Sequence, residues 1–243
     1  MLYYWAKKKT TLNPLKNKLK IATIFLLGTL LAFSCDNVET KKGRFLLKGN
    51  EKLKENDLQT AIDFYSEALL IDPEYKDALY NRALVFQQLN KFDEAIADYS
   101  AILEKNPGDS LALFQRGVSL MDNGEYYKAL EDSKNLLSIL PKSWKGHFLT
   151  GLVLEKMKNY DEALEEFEKS LELQPENYEV LINKATLHYY LKEFDASYTA
   201  LDRAEKLNPQ EPNIYNLRAM LSFEAKDFEK AISCYRSGLF FNY

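Results

Sequence analysis

Residues 144–177 read WKGHFLTGLVLEKMKNYDEALEEFEKSLELQPEN, and the chain repeats this plan every 34 residues. The marker is the proline near the end of the stretch. Pro73, Pro107, Pro141, Pro175 and Pro209 are spaced by 34, and they are five of only seven prolines in 243 residues. Counting from them divides the chain into units 42–75, 76–109, 110–143, 144–177, 178–211 and 212–243, without insertion or deletion. A fixed period of this length marks a repeat array, in which each unit buries its apolar face against the next.

Within a unit the pattern is helical. Position 8 is Gly49, Ala83, Gly117, Gly151, Ala185 and Ala219, and position 20 is Ala61, Ala95, Ala129, Ala163, Ser197 and Ala231. Small residues at both places let two helix backbones come close. Position 24, Tyr65, Tyr99, Ser133, Phe167, Leu201 and Tyr235, fills the remaining space in all units but the third. Apolar residues at positions 4, 8 and 11, then 17, 20, 24 and 27, follow helical rather than strand spacing. A polar break lies between the two runs, as in Asn56-Asp57 and Lys158-Asn159, and suits a tight turn. Asp93-Glu94 and Asp161-Glu162 open second helices, where they meet the helix dipole favourably. The proline at position 32 cannot continue the second helix.

These units resemble the tetratricopeptide repeat family, whose pattern is bulky at 4, small at 8, aromatic at 11 and 17, Ala at 20, aromatic at 24, Ala at 27 and Pro at 32. Phe92-Asp93-Glu94-Ala95-Ile96 and Tyr160-Asp161-Glu162-Ala163-Leu164 fit it closely. Lys52 and Ser222 at position 11 and Ser133 at position 24 depart from it and are expected to loosen packing locally. The resemblance implies an all-α, right-handed superhelical solenoid of six helix-turn-helix repeats over 42–243. It also implies a non-catalytic scaffold that binds partner proteins, as extended peptides or helical segments.

Residues 1–34 differ in kind. They hold six lysines and no acid, which leaves 26 basic against 36 acidic residues in the remainder, a balance of about −10. An acidic array lacks the basic footprint that nucleic acid requires. The lysines precede an apolar run from Ile21 to Phe33, 13 residues and too short to span a bilayer comfortably. A basic segment before such a run reads as a secretory signal. Leu30-Leu31-Ala32-Phe33-Ser34-Cys35 resembles a bacterial lipoprotein box. The reading is a signal peptide over 1–34, then a lipidated Cys35 and a short polar tether over 35–41. A retained single-helix anchor and plain secretion are the alternatives. Localisation is then the bacterial cell envelope, the membrane reached through the N-terminal lipid, with the outer membrane preferred to the inner. The architecture resembles tetratricopeptide lipoproteins that assist secretin assembly, outer-membrane protein insertion or the control of cell-wall hydrolases. An accessory subunit of an envelope enzyme is the competing reading, and an independent enzyme a remote third.

No catalytic constellation, cofactor motif or metal set stands out. His147 and His188 are the only histidines, and their positions, 4 and 11, point to the packed interior. Paired acids such as Glu165-Glu166 read as solvated faces. Cys234 has no partner once Cys35 is acylated, and reads as a small, partly buried hydrophobe.

By the same resemblance, positions 2, 5, 6, 9, 12 and 13 of the first helices face a concave groove. Position 5 is Leu46, Tyr80, Phe114, Phe148, Ile182 and Asn216. Amides at Asn50, Asn81, Gln115 and Asn183, with Tyr189 and Tyr190, complete the candidate set. Rings would take apolar anchors and amides would bond a peptide backbone. A carboxylate clamp for chaperone C-termini needs cations that are absent here: Asn50 and Asn81 match it, whereas Leu46, Leu111 and Gln115 do not. The end of unit six, Leu239-Phe240-Phe241-Asn242-Tyr243, either folds back over the final helix pair or docks on a partner or second copy.

Overall fold

A computed structural model describes residues 38–241 as twelve α-helices. They are α1 (Val38–Lys54), α2 (Leu58–Ile71), α3 (Lys76–Gln88), α4 (Phe92–Lys105), α5 (Ser110–Asp122), α6 (Tyr126–Ile139), α7 (Trp144–Lys156), α8 (Tyr160–Leu173), α9 (Tyr178–Tyr190), α10 (Phe194–Leu207), α11 (Pro212–Glu224) and α12 (Phe228–Phe241). There is no strand among the described residues. The expected helix pairs are present, α1 with α2 through α11 with α12, and each pair packs on the next. Cys35 and the apolar segment before it lie outside the described residues, and α1 begins at Val38, within the stretch read as a tether.

The boundaries recur because the same local chemistry recurs. Each second helix has 14 residues and, in units one to five, ends two residues before the proline, with the C-cap residue between them. The residue before a proline is pushed out of helical geometry. Position 34 caps the following first helix in four cases: Asp109, Ser143, Asn177 and Glu211 accept from a backbone N–H of its first turn. Between the two helices of every unit, position 15 adopts positive φ: Asn56, Asn90, Lys158, Lys192 and Lys226 at 55–64°, and Gly124 at 83°. In each turn the next N–H reaches back to the carbonyl of position 11, as in Lys91 N to Phe86 O at 2.8 Å and Glu193 N to His188 O at 2.8 Å. This is the Schellman closure that satisfies the orphan carbonyls of a helix end.

The core lies between paired helices. Ala61, Ala95, Ala129 and Ala163 are fully buried, as are Tyr65, Tyr99, Phe167 and Leu201 at position 24. A Cβ on Gly151 would sit 2.5 Å from the Phe167 ring, so the small residue at position 8 is a requirement of the aromatic at 24. Unit three departs from the pattern without loosening. Where Ser133 leaves space, Leu149 of the next unit fills it and closes on Gly117. The Ser133 hydroxyl accepts from Thr150 Oγ1 at 3.0 Å and donates to Leu130 O at 2.9 Å. Ser222 keeps its departure: it is buried and its hydroxyl has no partner.

Charged groups stitch units together with the same period. Arg82 holds Asp98 with two hydrogen bonds, 2.8 and 2.7 Å, and donates to Ser66 of the preceding unit at 2.9 Å. Arg116 does the same with Asp132 and Ser100. Lys184 and Arg218, at the same position 7, reach back to Glu168 and Asp202 of the preceding units.

Candidate functional site

The first helices of units four to six, α7, α9 and α11, enclose a groove of about 560 Å³. Five of the twelve groove candidates line it: Phe148, Ile182, Asn183, Tyr190 and Asn216. Leu152, Thr186, Leu217 and Met220, from positions 9 and 6, complete the floor. The rim adds Tyr178, Glu179, Glu211 and Asn213. Glu179 and Asn213 occupy position 2, which belongs to the concave set, so that position was their available signal. Tyr178 and Glu211, at positions 1 and 34, fall outside it and are placed only by the packing of neighbouring helices.

Rigid neighbours hold the lining. Phe148 is 8% exposed and packs between Trp144 and Phe167, at centroid distances of 6.3 and 5.9 Å. Tyr190 is about half exposed and stacks on Tyr160 at 5.5 Å, forming one wall. Asn183 Nδ2 donates to Glu179 O at 2.8 Å, which turns the amide along its own helix. Glu211 is tied to the start of α11 by accepting from Asn213 N and Nδ2. The lining carries the carboxylates of Glu179 and Glu211 and no Lys, Arg or His. Beside it a smaller recess of about 220 Å³ is lined by Tyr189, Tyr190, Lys192, Phe194 and Glu224. Tyr189 donates its hydroxyl to Glu224, and burial, then the Glu224 charge, pushes that hydroxyl's pKa up.

The candidates in units one to three are built into packing instead. Leu46 packs against the cores of units one and two. Asn50 Oδ1 accepts from Tyr65 Oη and from Asn81 Nδ2, both at 2.8 Å, so the two residues that fit a carboxylate clamp are spent on each other. Tyr80 meets the Tyr99 ring edge-on at 5.6 Å, with Gln115 beside its hydroxyl. Phe114 packs against three of the core clusters, with the Lys145 ammonium 5.6 Å from its ring.

The histidines are only partly buried, and each faces a carboxylate. His147 Nδ1 lies 2.7 Å from Glu166 Oε2, and His188 Nδ1 lies 2.6 Å from Glu193 Oε2. Glu166 is therefore not the solvated acid its sequence suggested, with a side chain 16% exposed. Among the described residues no group of three or more His, Cys, Asp or Glu is arranged to hold a metal ion, and no helix is long and apolar enough to cross a membrane.

Models of the tetratricopeptide repeat match residues 49–90, 77–109, 114–178 and 154–221, so successive matches tile most of the array. The chain belongs to the tetratricopeptide repeat family. Its fold is similar to that of a tetratricopeptide repeat protein from Parabacteroides merdae, with a TM-score of 0.79, 21% identity, and coverage of 89% of this chain and 84% of that one. It is also similar to PilF of Pseudomonas aeruginosa, with a TM-score of 0.65, 24% identity, and coverage of 81% and 90%. YrrB, described as a tetratricopeptide protein with an unusual peptide-binding site, aligns with a TM-score of 0.53 at 21% identity, covering 75% and 90%. An uncharacterized protein of Methanocaldococcus jannaschii is 33% identical over 48 residues, 20% of this chain and 56% of that relative's length. Tetratricopeptide arrays generally serve as protein-interaction scaffolds and are typically non-catalytic.

Proposed function

We propose that this tetratricopeptide array is a membrane-tethered, non-catalytic scaffold that holds an extended segment of a partner protein along α7, α9 and α11 during envelope assembly or secretion. The observation that carries the reading is the groove itself. Its floor is apolar, amides stand along it, and the only lining groups charged at neutral pH are two carboxylates. An extended peptide with apolar anchors flanked by Lys or Arg complements that lining in shape and charge. The tether in this reading is lipid on Cys35, whose attached chains give the multiple hydrophobic anchors that stable membrane association needs.

The test is a peptide array read with the purified protein, followed by fluorescence anisotropy on the best binders. Binders should combine aliphatic or aromatic anchors with flanking basic residues. Glu179→Lys, on an exposed side chain, should weaken them about tenfold, or about 1.4 kcal/mol, and Ile182→Asp should abolish binding while the helical signal is kept. Acidic binders, or binders indifferent to both substitutions, would remove this groove from consideration.

A further inference from the structure

α12, the last of the described helices, carries Phe228, Ile232, Tyr235 and Leu239 in one stripe, spaced by four, three and four residues. These are positions 17, 21, 24 and 28 of the unit. In earlier units the first helix of the following unit covers the same stripe: Tyr65 and Tyr99 at position 24 are fully buried, and Leu69 and Leu103 at position 28 nearly so. On α12 Tyr235 is 45% exposed and Leu239 58%. Phe241 does fold back, onto Tyr215 at 5.2 Å, yet the stripe stays open.

Head-to-tail stacking of copies would place α1 on that stripe, and the charges of α1 oppose it. Arg44 stands at position 3, where later first helices bury Ala78, Ala112, Gly146, Val180 and Ile214. Lys48 stands at position 7, whose side chains reach position 25 of the preceding unit. On α12 position 25 is Arg236, so the contact would set two cations together.

We propose that α12 is the interface of a two-fold dimer, packed antiparallel on α12 of a second copy. Spacing of four, three and four reads the same in both directions. An antiparallel crossing centred between Ser233 and Cys234 therefore lays Phe228 on the second copy's Leu239 and Ile232 on its Tyr235. Glu229 and Arg236 flank the stripe on one side, seven residues and about 10 Å apart along the helix, too far to pair within it. The crossing sets each against its opposite in the other copy, and the two-fold makes both pairs equivalent. A single 14-residue helix offers a contact at the small end of specific interfaces, so the dimer is micromolar and reversible.

Sedimentation equilibrium of the full chain in density-matched non-ionic detergent tests this. A monomer–dimer equilibrium is expected. Ile232→Glu should weaken it about 100-fold or more, and Glu229→Arg about tenfold. Glu229→Arg combined with Arg236→Glu should return it to near the wild-type value, since charge reversal on both sides restores the pairs. A chain that stays monomeric, a dimer indifferent to Ile232→Glu, a double reversal as weak as the single one, or polymers that lengthen with concentration would each overturn the proposal. These residues lie outside the groove, so peptide affinity should be unchanged in all of them, and either result leaves the groove reading intact.

Discussion

Position 15 of each unit shows how a single backbone angle sets the architecture. Six residues adopt left-handed φ, and only one of them is glycine. For a residue with a Cβ this region costs roughly 1–2 kcal/mol, which the two Schellman hydrogen bonds of each turn help to offset. Gly124 has open space where a Cβ would stand, so Gly124→Ala adds backbone strain without a clash. It should lower stability by about 1 kcal/mol. The opposite exchange, Lys192→Gly, should raise it by a smaller amount, about 0.5 kcal/mol, because a more flexible unfolded chain cancels part of the relief. Urea unfolding of the two variants checks both signs; a stabilised Gly124→Ala would contradict the assigned turn geometry.

At the scale of elements, polar contacts decide how helices are joined after apolar contacts have brought them together. The Arg116–Asp132 pair links α5 to α6 and, through Ser100, to α4. The carboxylate is almost wholly buried, and its bidentate partner supplies the hydrogen bonds such burial demands. Unit four has Thr150 at position 7 and joins α7 to α8 differently, by Glu166 between His147 and Lys169. Burial pushes the Glu166 carboxyl up, but hydrogen bonds from Lys169 and His147 outweigh it and hold its pKa below the usual glutamate value. A depressed folded-state pKa contributes stability above the ordinary range near 4.3, and that stability is lost as pH falls through the folded value. Glu166→Gln should therefore lower Tm at neutral pH, and the gap to wild type should close as pH drops below about 4. Thermal melts across that range, with a constant gap as the contrary outcome, test the assignment.

For the whole molecule, stacking leaves distinct surfaces with distinct uses. Neighbouring first helices build the groove, the charged outer side of α1 closes one end of the array, and the apolar side of α12 stays open at the other. The proposed function places this array at a membrane through Cys35. Cys35→Ser should then abolish metabolic labelling by a fatty acid and leave an unprocessed precursor, while the helical content of the array is unchanged. Equal labelling of wild type and variant would remove the lipid anchor and leave the groove and α12 untouched.

The sequence by itself determined the period, the two helices per unit, and the small-against-large exchange at positions 8, 20 and 24. These depend on contacts that recur along the array, so the copies of the signal reinforce one another even where unit three departs from them. Through its resemblance to the tetratricopeptide family it also marked the concave row, since the family assigns a face to each position of the repeat. Only tertiary structure decided which part of that row is open. Tyr80, Phe114, Asn50 and Asn81 occupy places equivalent to those that line the groove, yet their neighbours in adjacent units fill the space or take the hydrogen bonds. The repair of Ser133 by Leu149 and the burial of Glu166 beside His147 escaped the repeat pattern for the same reason. Each depends on the size and charge of one particular neighbour rather than on position in a unit, and a periodic pattern carries no information about what differs between its copies.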